Sequence, residues 1–333
     1  MDRFFWSYNK ALREQGHKVT WFFPEGKVFE DYKEFEICLA GEETLEASVL
    51  RSKGHFDIII THFIPLCTPF YKALKKKGNP YIIAVDHNPR PINGFSRSKK
   101  VKNKIKGLFY SKFIDVFVGV SKYTKDAILN DYGFHLKEKT KVIYNGIETS
   151  IYASREKENQ GKFIVASHLR ESKGIQDLIE AVNILPDQFL PLLQIDIFGE
   201  GPLENHLKER VRSYKLEKQI NFKGSSPQLP ALLKNYSFLL QPTYMECFSL
   251  SILESLAANV PVITTPVGGN LEIIEHGVNG FIFEPGDIKE LTHILQQVLL
   301  GEMKIDQRVD HNIKENYNLR KMVQEHINIL PCT

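Results

Sequence analysis

Long apolar runs are missing from this 333-residue chain. No stretch approaches the roughly 18 apolar residues that a membrane-spanning helix needs. Cysteine is scarce: Cys38, Cys67, Cys247 and Cys332 share no paired spacing. That pattern excludes a disulfide frame or a zinc site and implies reduced thiols in a cytosolic protein. The opening, MDRFFWSYNK, has no apolar segment of signal-peptide length, so export is not expected. The chain also lacks an Asp-x-Asp pair, a Gly-x4-Gly-Lys-Ser/Thr loop and a Gly-x-Ser-x-Gly elbow. These absences remove P-loop nucleotide hydrolysis and serine-hydrolase chemistry from consideration. No fixed-period repeat or low-complexity segment occurs.

What is there is the composition of a globular protein: 42% hydrophobic, 25% charged, with 21 Gly and 16 Pro. At roughly 100–200 residues per domain, the length implies two domains. The net charge of +3 hides an asymmetry. Residues 1–150 hold 25 Lys and Arg against 17 Asp and Glu, whereas residues 151–333 hold 18 against 23. The excess concentrates in residues 71–125, where 14 basic side chains are accompanied only by Asp86 and Asp115 as acids. Such a patch suits an anionic partner. Nucleic acid is not the expected one, because the basic segment has few interleaved aromatics and the second half is acidic.

Short apolar, β-branched runs alternate with helical stretches. Strand candidates are 19–23, 57–61, 81–85, 115–120 and 141–144 in the first half, and 162–167, 193–198, 237–241, 260–264 and 280–283 in the second. Near-continuous apolar strands with helices between them specify parallel sheets covered on both faces. Two such series, joined by the polar stretch 148–161, imply an α/β protein of two doubly wound domains. One feature departs from that plan. Residues 3–15 read as a helix with Phe5, Tyr8 and Leu12 on its apolar face and Gly16 as its stop. A doubly wound domain ordinarily has a strand and a Gly-rich loop ahead of its first helix. Either the chain is an N-terminally shortened version of its fold, or the first domain lacks a central strand.

The most informative segment is 242–272, PTYMECFSLSILESLAANVPVITTPVGGNLE. Leu250, Leu253, Leu256 and Ala257 form one helical face, so a helix begins near Ser249, with Glu246 on the loop before it and Glu254 inside it. The N–H groups of Phe248, Ser249 and Leu250 at the helix start make an anion site. Two carboxylates eight residues apart reach different parts of one long ligand, although any two Glu can fall at that spacing. The following strand and PVGGNLE place a second glycine turn and helix start at 266–270.

With these segments in view, the chain resembles the "group 1" family of retaining glycosyltransferases, which have the GT-B fold. Glu246 to Glu254, E-C-F-S-L-S-I-L-E, resembles the family's E-x7-E signature, and the run from Ala257 to Thr265 resembles its "AxGxPVVAT". Val267-Gly268-Gly269 resembles "xGG", Ser167 to Gly174 resembles "GRLxxxKG", Phe198 to Pro202 resembles "xGxGP", and Tyr144 to Glu148 resembles "NGVD". The resemblance implies a GT-B architecture of two Rossmann-like domains facing across a cleft. Residues 1–148 would be an acceptor-binding domain without its first strand, 149–316 a nucleotide-sugar-binding domain, and 317–330 a helix crossing back to the first.

The resemblance further implies that Glu254 binds the nucleotide's ribose hydroxyls and Glu246 a donor-sugar hydroxyl. The loop at Gly199 admits the nucleotide to the backbone. Lys173 supplies a cation to the diphosphate, although a lysine before Gly is ordinarily solvated surface. The family's arginine five residues before that lysine is here His168, a weaker phosphate ligand. In the first half, His87 in Asp86-His87-Asn88-Pro89 leaves the strand 81–85 where α/β sites lie, and by resemblance it touches the donor sugar. His62 holds the same place on the preceding strand, and Ser121 resembles a strand-end serine that would also cap a helix. A helix N-terminus and a lysine neutralise a diphosphate without a metal, so no metal or other cofactor is expected.

Residues 96–112, SRSKKVKNKIKGLFYSK, carry seven basic side chains and no acid, with Val101, Ile105, Leu108 and Phe109 on one helical face. This helix suits peripheral contact with an anionic membrane, or is an ordinary domain helix with solvated charges. The expectation is a retaining, metal-independent glycosyltransferase, cytoplasmic or at the inner face of the membrane, with a nucleotide sugar and a glycan or lipid-linked acceptor as partners. Its rivals are a GT-B-fold sugar-nucleotide epimerase and a non-catalytic nucleotide-sugar-binding subunit.

Overall fold

The structure, a computed structural model, describes residues 2–24, 35–157 and 159–331, so Cys332 lies outside the described residues. The chain divides into two compact units. One comprises Met1–Asn88, Phe95–Gly146 and Leu319–Thr333; the other comprises Pro89–Gly94 and Ile147–Asn318.

In the first unit the order is α1 (Asp2–Glu14), β1 (Thr20–Phe23), β2 (Glu36–Leu39), α2 (Leu45–Arg51), β3 (Ile58–His62), α3 (Pro69–Lys76), β4 (Tyr81–Asp86), α4 (Arg97–Tyr110), β5 (Val116–Gly119), α5 (Lys122–Tyr132) and β6 (Thr140–Val142). Strands β3-β4-β5-β6 form one parallel sheet, and β1-β2 form a separate parallel pair. The core lies where Ile82, Ala84, Phe117, Ile128, Tyr71 and Leu74 meet, each fully buried. Helix α1 buries Phe4, Tyr8 and Leu12, one turn apart as a 3.6-residue period requires. The expected Phe5 is instead half-buried and turned toward Trp21 and His62. Ser121 is the N-cap of α5, its hydroxyl accepting from the Thr124 N–H at 3.0 Å.

The second unit contains β7 (Lys162–Ala166), α6 (Ile175–Asn183), β8 (Gln194–Phe198), α7 (Glu204–Ser213), β9 (Ile220–Gly224), α8 (Leu229–Leu232), β10 (Phe238–Gln241), α9 (Leu250–Ala257), β11 (Val262–Thr264), β12 (Gly280–Ile282), α10 (Ile288–Leu300) and α11 (His311–Asn316). Its six strands form one parallel sheet in the order β12-β11-β10-β7-β8-β9. The last helix, α12 (Leu319–Asn328), groups with the first unit and packs on α1.

Four readings of the sequence are corrected. Strands β2 and β9 were not expected: each is short and polar at its margins, and both sit at sheet edges, where alternation is weak. Strand β11 starts at Val262 rather than residue 260, since Pro261 has no N–H for the ladder. The glycine turn before residue 270 leads into a single 3-10 turn, Asn270–Glu272, rather than an α-helix. The polar stretch 148–161 is pinned to the second unit: Arg155 is buried, donating to the carbonyls of Asn259 at 3.0 Å and Ser237 at 3.1 Å.

Candidate functional site

Parallel α/β sheets place their loops with the greatest chemical variety at the C-terminal ends of the strands, and four such loops converge in the second unit. The loop after β8 reaches the loop after β7 through Gly199: a β-carbon there would lie 2.0 Å from the Ser167 carbonyl oxygen. The loop after β11 reaches the loop after β10 through Gly268, whose φ of +62° suits glycine and whose β-carbon would lie 1.9 Å from the Glu246 carbonyl oxygen. Gly269 then donates its N–H to the Cys247 carbonyl at 2.9 Å.

Buried side chains brace this arrangement. Gln241, at the end of β10, donates to the Ser249 hydroxyl at 2.6 Å, and Ser249 caps α9 by accepting from the Ile252 N–H. Thr265 donates to the Thr243 carbonyl at 2.6 Å, and Asn270 donates to the Thr265 carbonyl at 3.1 Å. Ser251 in the first turn of α9 donates to the Ala166 carbonyl at the end of β7, at 2.8 Å. The start of α9, with Phe248, Ser249 and Leu250, is thereby fixed beside the loop after β7. First-turn N–H groups have no partner within a helix and carry the positive end of its dipole.

Lys173 and Glu246 meet directly: Lys173 Nζ donates to Glu246 Oε2 at 2.6 Å, with only 12% and 17% of the side chains exposed. Glu254 lies one helical turn inside α9. Burial raises its carboxyl above the usual carboxylate range, and a hydrogen bond from Tyr152 opposes that rise. Tyr152 was not singled out in the sequence; it lies within the polar stretch that reads as a linker, and its spacing from Glu254 carries no local signal. Tyr244 was missed for the same reason; it donates to Asp177 at 2.6 Å and holds the loop after β10 against α6. His168 sits exposed on the loop after β7. Among the described residues, no group of three or more His, Cys, Asp or Glu is arranged to hold a metal ion.

His87 lies in the other unit, at the end of β4. Its Nε2 is 3.0 Å from Nδ1 of His62, and the Phe63 ring stacks on it with centroids 4.3 Å apart. Burial lowers the His87 imidazole to about 4 against an opposing pull from Asp86. Burial, then repulsion from His87 and His326, holds His62 well below its ordinary range. Both rings are therefore neutral at pH 7. His326 of α12 completes the cluster.

On the same unit, α4 buries Asn103 and Gly107. A β-carbon on Gly107 would lie 1.9 Å from the Tyr132 carbonyl oxygen, so α4 and α5 touch backbone to backbone. The opposite side exposes Val101 (60%), Ile105 (50%), Leu108 (69%) and Phe109 (64%). Burial, reinforced by Lys99 and Lys102, lowers the Lys106 ammonium. Among the described residues, no helix is long and apolar enough to cross a membrane.

The site belongs to an enzyme that draws on a nucleotide sugar, and its class is that of the glycosyltransferases. The chain belongs to the family described as glycosyl transferases group 1, whose model matches residues 147–316; the model of glycosyltransferase family 4 matches residues 1–151. It is 25% identical to N-acetyl-alpha-D-glucosaminyl L-malate synthase of Bacillus anthracis over 354 aligned residues, covering 95% of this chain and 90% of that protein. It is 31% identical over 252 residues to an uncharacterised glycosyltransferase of Methanocaldococcus jannaschii, covering 73% and 66%. Among solved structures, Anabaena HepE in complex with UDP-glucose matches with a TM-score of 0.78 at 19% identity, covering 98% of this chain and 96% of that one. The lipopolysaccharide outer core galactosyltransferase WaaB matches at 0.73 and 17% identity, covering 98% and 94%. The fold is GT-B.

Proposed function

We propose that the protein is a retaining hexosyltransferase that works without a metal ion and transfers sugar to a glycan or lipid-linked acceptor in surface-polysaccharide or glycolipid synthesis. The observation that carries this reading is the half-buried Lys173–Glu246 pair beside the N-terminus of α9. As the sugar–phosphate bond breaks, charge grows on the diphosphate. Lys173 and the first N–H groups of α9 stabilise it from fixed positions, which is the effective way to lower such a barrier.

In this reading Glu246 exchanges its lysine contact for a donor-sugar hydroxyl, and Glu254 accepts from the ribose hydroxyls. His168 flanks the diphosphate, Gly199 lets the nucleotide approach the backbone, and His87, as a neutral imidazole, hydrogen-bonds the sugar. The first unit binds the acceptor, and α4 rests its exposed apolar side on an anionic membrane from the cytoplasmic face. Exposed apolar stripes of this kind mark interaction surfaces, and the flanking lysines supply attraction to acidic lipid.

The test is a panel of nucleotide sugars, beginning with UDP-glucose, screened by thermal shift. A ligand at 100 times its dissociation constant stabilises by roughly 2.7 kcal/mol. The donor that binds is then supplied with candidate lipid-linked and free glycan acceptors, with and without EDTA, and the product anomer is read by NMR. Retention of the donor's configuration with full activity in EDTA is expected. An inverted product would overturn the retaining assignment, and loss of activity in EDTA the metal-independent one.

A further inference from the structure

Strands β1 and β3 each have an apolar edge that, among the described residues, no strand pairs. Parallel strands are ordinarily buried on both faces, as β5 is throughout. Yet all four residues of β1 and the three isoleucines of β3 are only half-buried. The two strands are nonetheless neighbours. The Phe5 ring of α1 lies 5.2 Å from Trp21 and 6.1 Å from Phe23 on one side, and 5.4 Å from His62 on the other. Phe22 and Phe56, the latter just ahead of β3, touch with ring centroids 5.9 Å apart. One ring thus spans from the end of β1 to the end of β3, a separation of about two strand spacings of roughly 4.8 Å. That is the width of one intervening strand.

The position of α1 says what fits there. Its first turn, carrying Phe4 and Phe5, lies against His62 at the C-terminal end of β3. A strand running parallel to β3 ends beside that turn. A strand followed by a helix and then a parallel neighbouring strand is the βαβ unit, whose crossover is right-handed in nearly all cases. We propose that β1 and β3 accept one further parallel strand between them, supplied by polypeptide joined through a short loop to the N-terminal end of α1. This strand would unite the pair and the four-stranded sheet into one seven-stranded sheet in the order β2-β1-new-β3-β4-β5-β6. Its exit loop would arrive at His62 and His87, adding backbone N–H groups to the candidate site of the first unit. The proposal stands on sheet geometry and does not rest on the transferase reading.

The experiment compares the 333-residue chain with one carrying an N-terminal extension of five alternating valines and isoleucines and a four-residue glycine-rich loop. A third protein carries the same extension with proline at its second and fourth strand positions, which cannot donate to a ladder. Hydrogen exchange is read at Trp21–Phe23 and Ile58–Thr61. The extension is expected to slow exchange there at least tenfold and to raise Tm, whereas the proline version does neither. Equal exchange in all three proteins overturns the proposal, as does equal protection by the proline version. The same valine–isoleucine peptide added in trans to the 333-residue chain gives a second reading through the emission of Trp21. Protection of both edges that grows with concentration of the unextended chain would instead assign the edges to a second copy, and would overturn the proposal.

Discussion

Single side chains decide how the second unit meets a nucleotide. A charged hydrogen bond is worth about 1.5–3 kcal/mol, roughly a 10- to 150-fold change in affinity. Glu254→Ala is therefore expected to weaken UDP binding by at least tenfold in calorimetry, and Glu254→Gln by less, since the amide keeps one acceptor for Tyr152 or a ribose hydroxyl. Unchanged affinity for UDP in both variants would remove Glu254 from the ribose. His168 offers a gain instead of a loss. A guanidinium binds phosphate through two parallel hydrogen bonds, which an imidazole cannot match. His168→Arg is expected to tighten UDP binding several-fold without moving Tm, because the side chain is exposed. Identical affinity in the two proteins would mean that residue 168 does not face the diphosphate. Lys173, Glu246 and Glu254 were legible because each stands in a motif of fixed spacing. Tyr152, Tyr244 and Gln241 were not, because their partners lie 102, 67 and 8 residues away with no local pattern to mark them.

Among the elements, α4 has the two sides most unlike each other. Its contact with α5 is made by Asn103 and Gly107, so Val101, Ile105, Leu108 and Phe109 contribute little to the core. Leu108→Ser with Phe109→Ser is expected to leave Tm nearly unchanged and to abolish sedimentation with vesicles containing acidic lipid. Lys99→Glu, Lys100→Glu and Lys102→Glu should do the same at low salt, because each lysine near an anionic surface contributes about 1 kcal/mol that salt screens. Lys104 is left in place since it donates to the Leu129 carbonyl. Wild-type protein that fails to co-sediment at any ionic strength would make α4 an ordinary solvated helix. The helical period and the Ser96 cap made α4 readable from the sequence, as did Ser249 for α9. Strands β2 and β9 escaped notice because a short edge strand gains its conformation from one neighbour, and a run such as Glu36–Leu39 looks like loop in isolation.

For the molecule as a whole, the alternation of apolar runs and helices disclosed two parallel α/β units, because each buried strand needs a covering helix wherever it lies. What it did not disclose is a cluster assembled from α1, β3, β4 and α12. His326 is 2% exposed, with the rings of Phe4 and Tyr8 edge-on at 5.0 and 5.6 Å. Among the described residues, neither of its ring nitrogens nor the Tyr8 hydroxyl has a hydrogen-bond partner. Burial, then the neighbouring His87, lowers the His326 imidazole to about 3, and burial lowers His87 to about 4. Both fall from an ordinary 6.5, so the unfolded chain takes up protons below pH 6.5 that the folded one refuses. Stability must then fall as pH drops from 6.5 toward 4, by about 2 kcal/mol per histidine at pH 5. The half-buried Glu325 works in the opposite sense, its carboxyl raised by burial. Asp310, held near 2 by Arg308 and Lys314 against its burial, titrates below this window. Comparing wild type with His326→Phe cancels both, and phenylalanine keeps the aromatic packing with Phe4 and Tyr8. Urea unfolding at pH 7.5 should give similar midpoints for the two proteins. At pH 5 the wild type should lose the larger share of its stability. Parallel losses in both proteins would show that His326 does not stay neutral in the folded state.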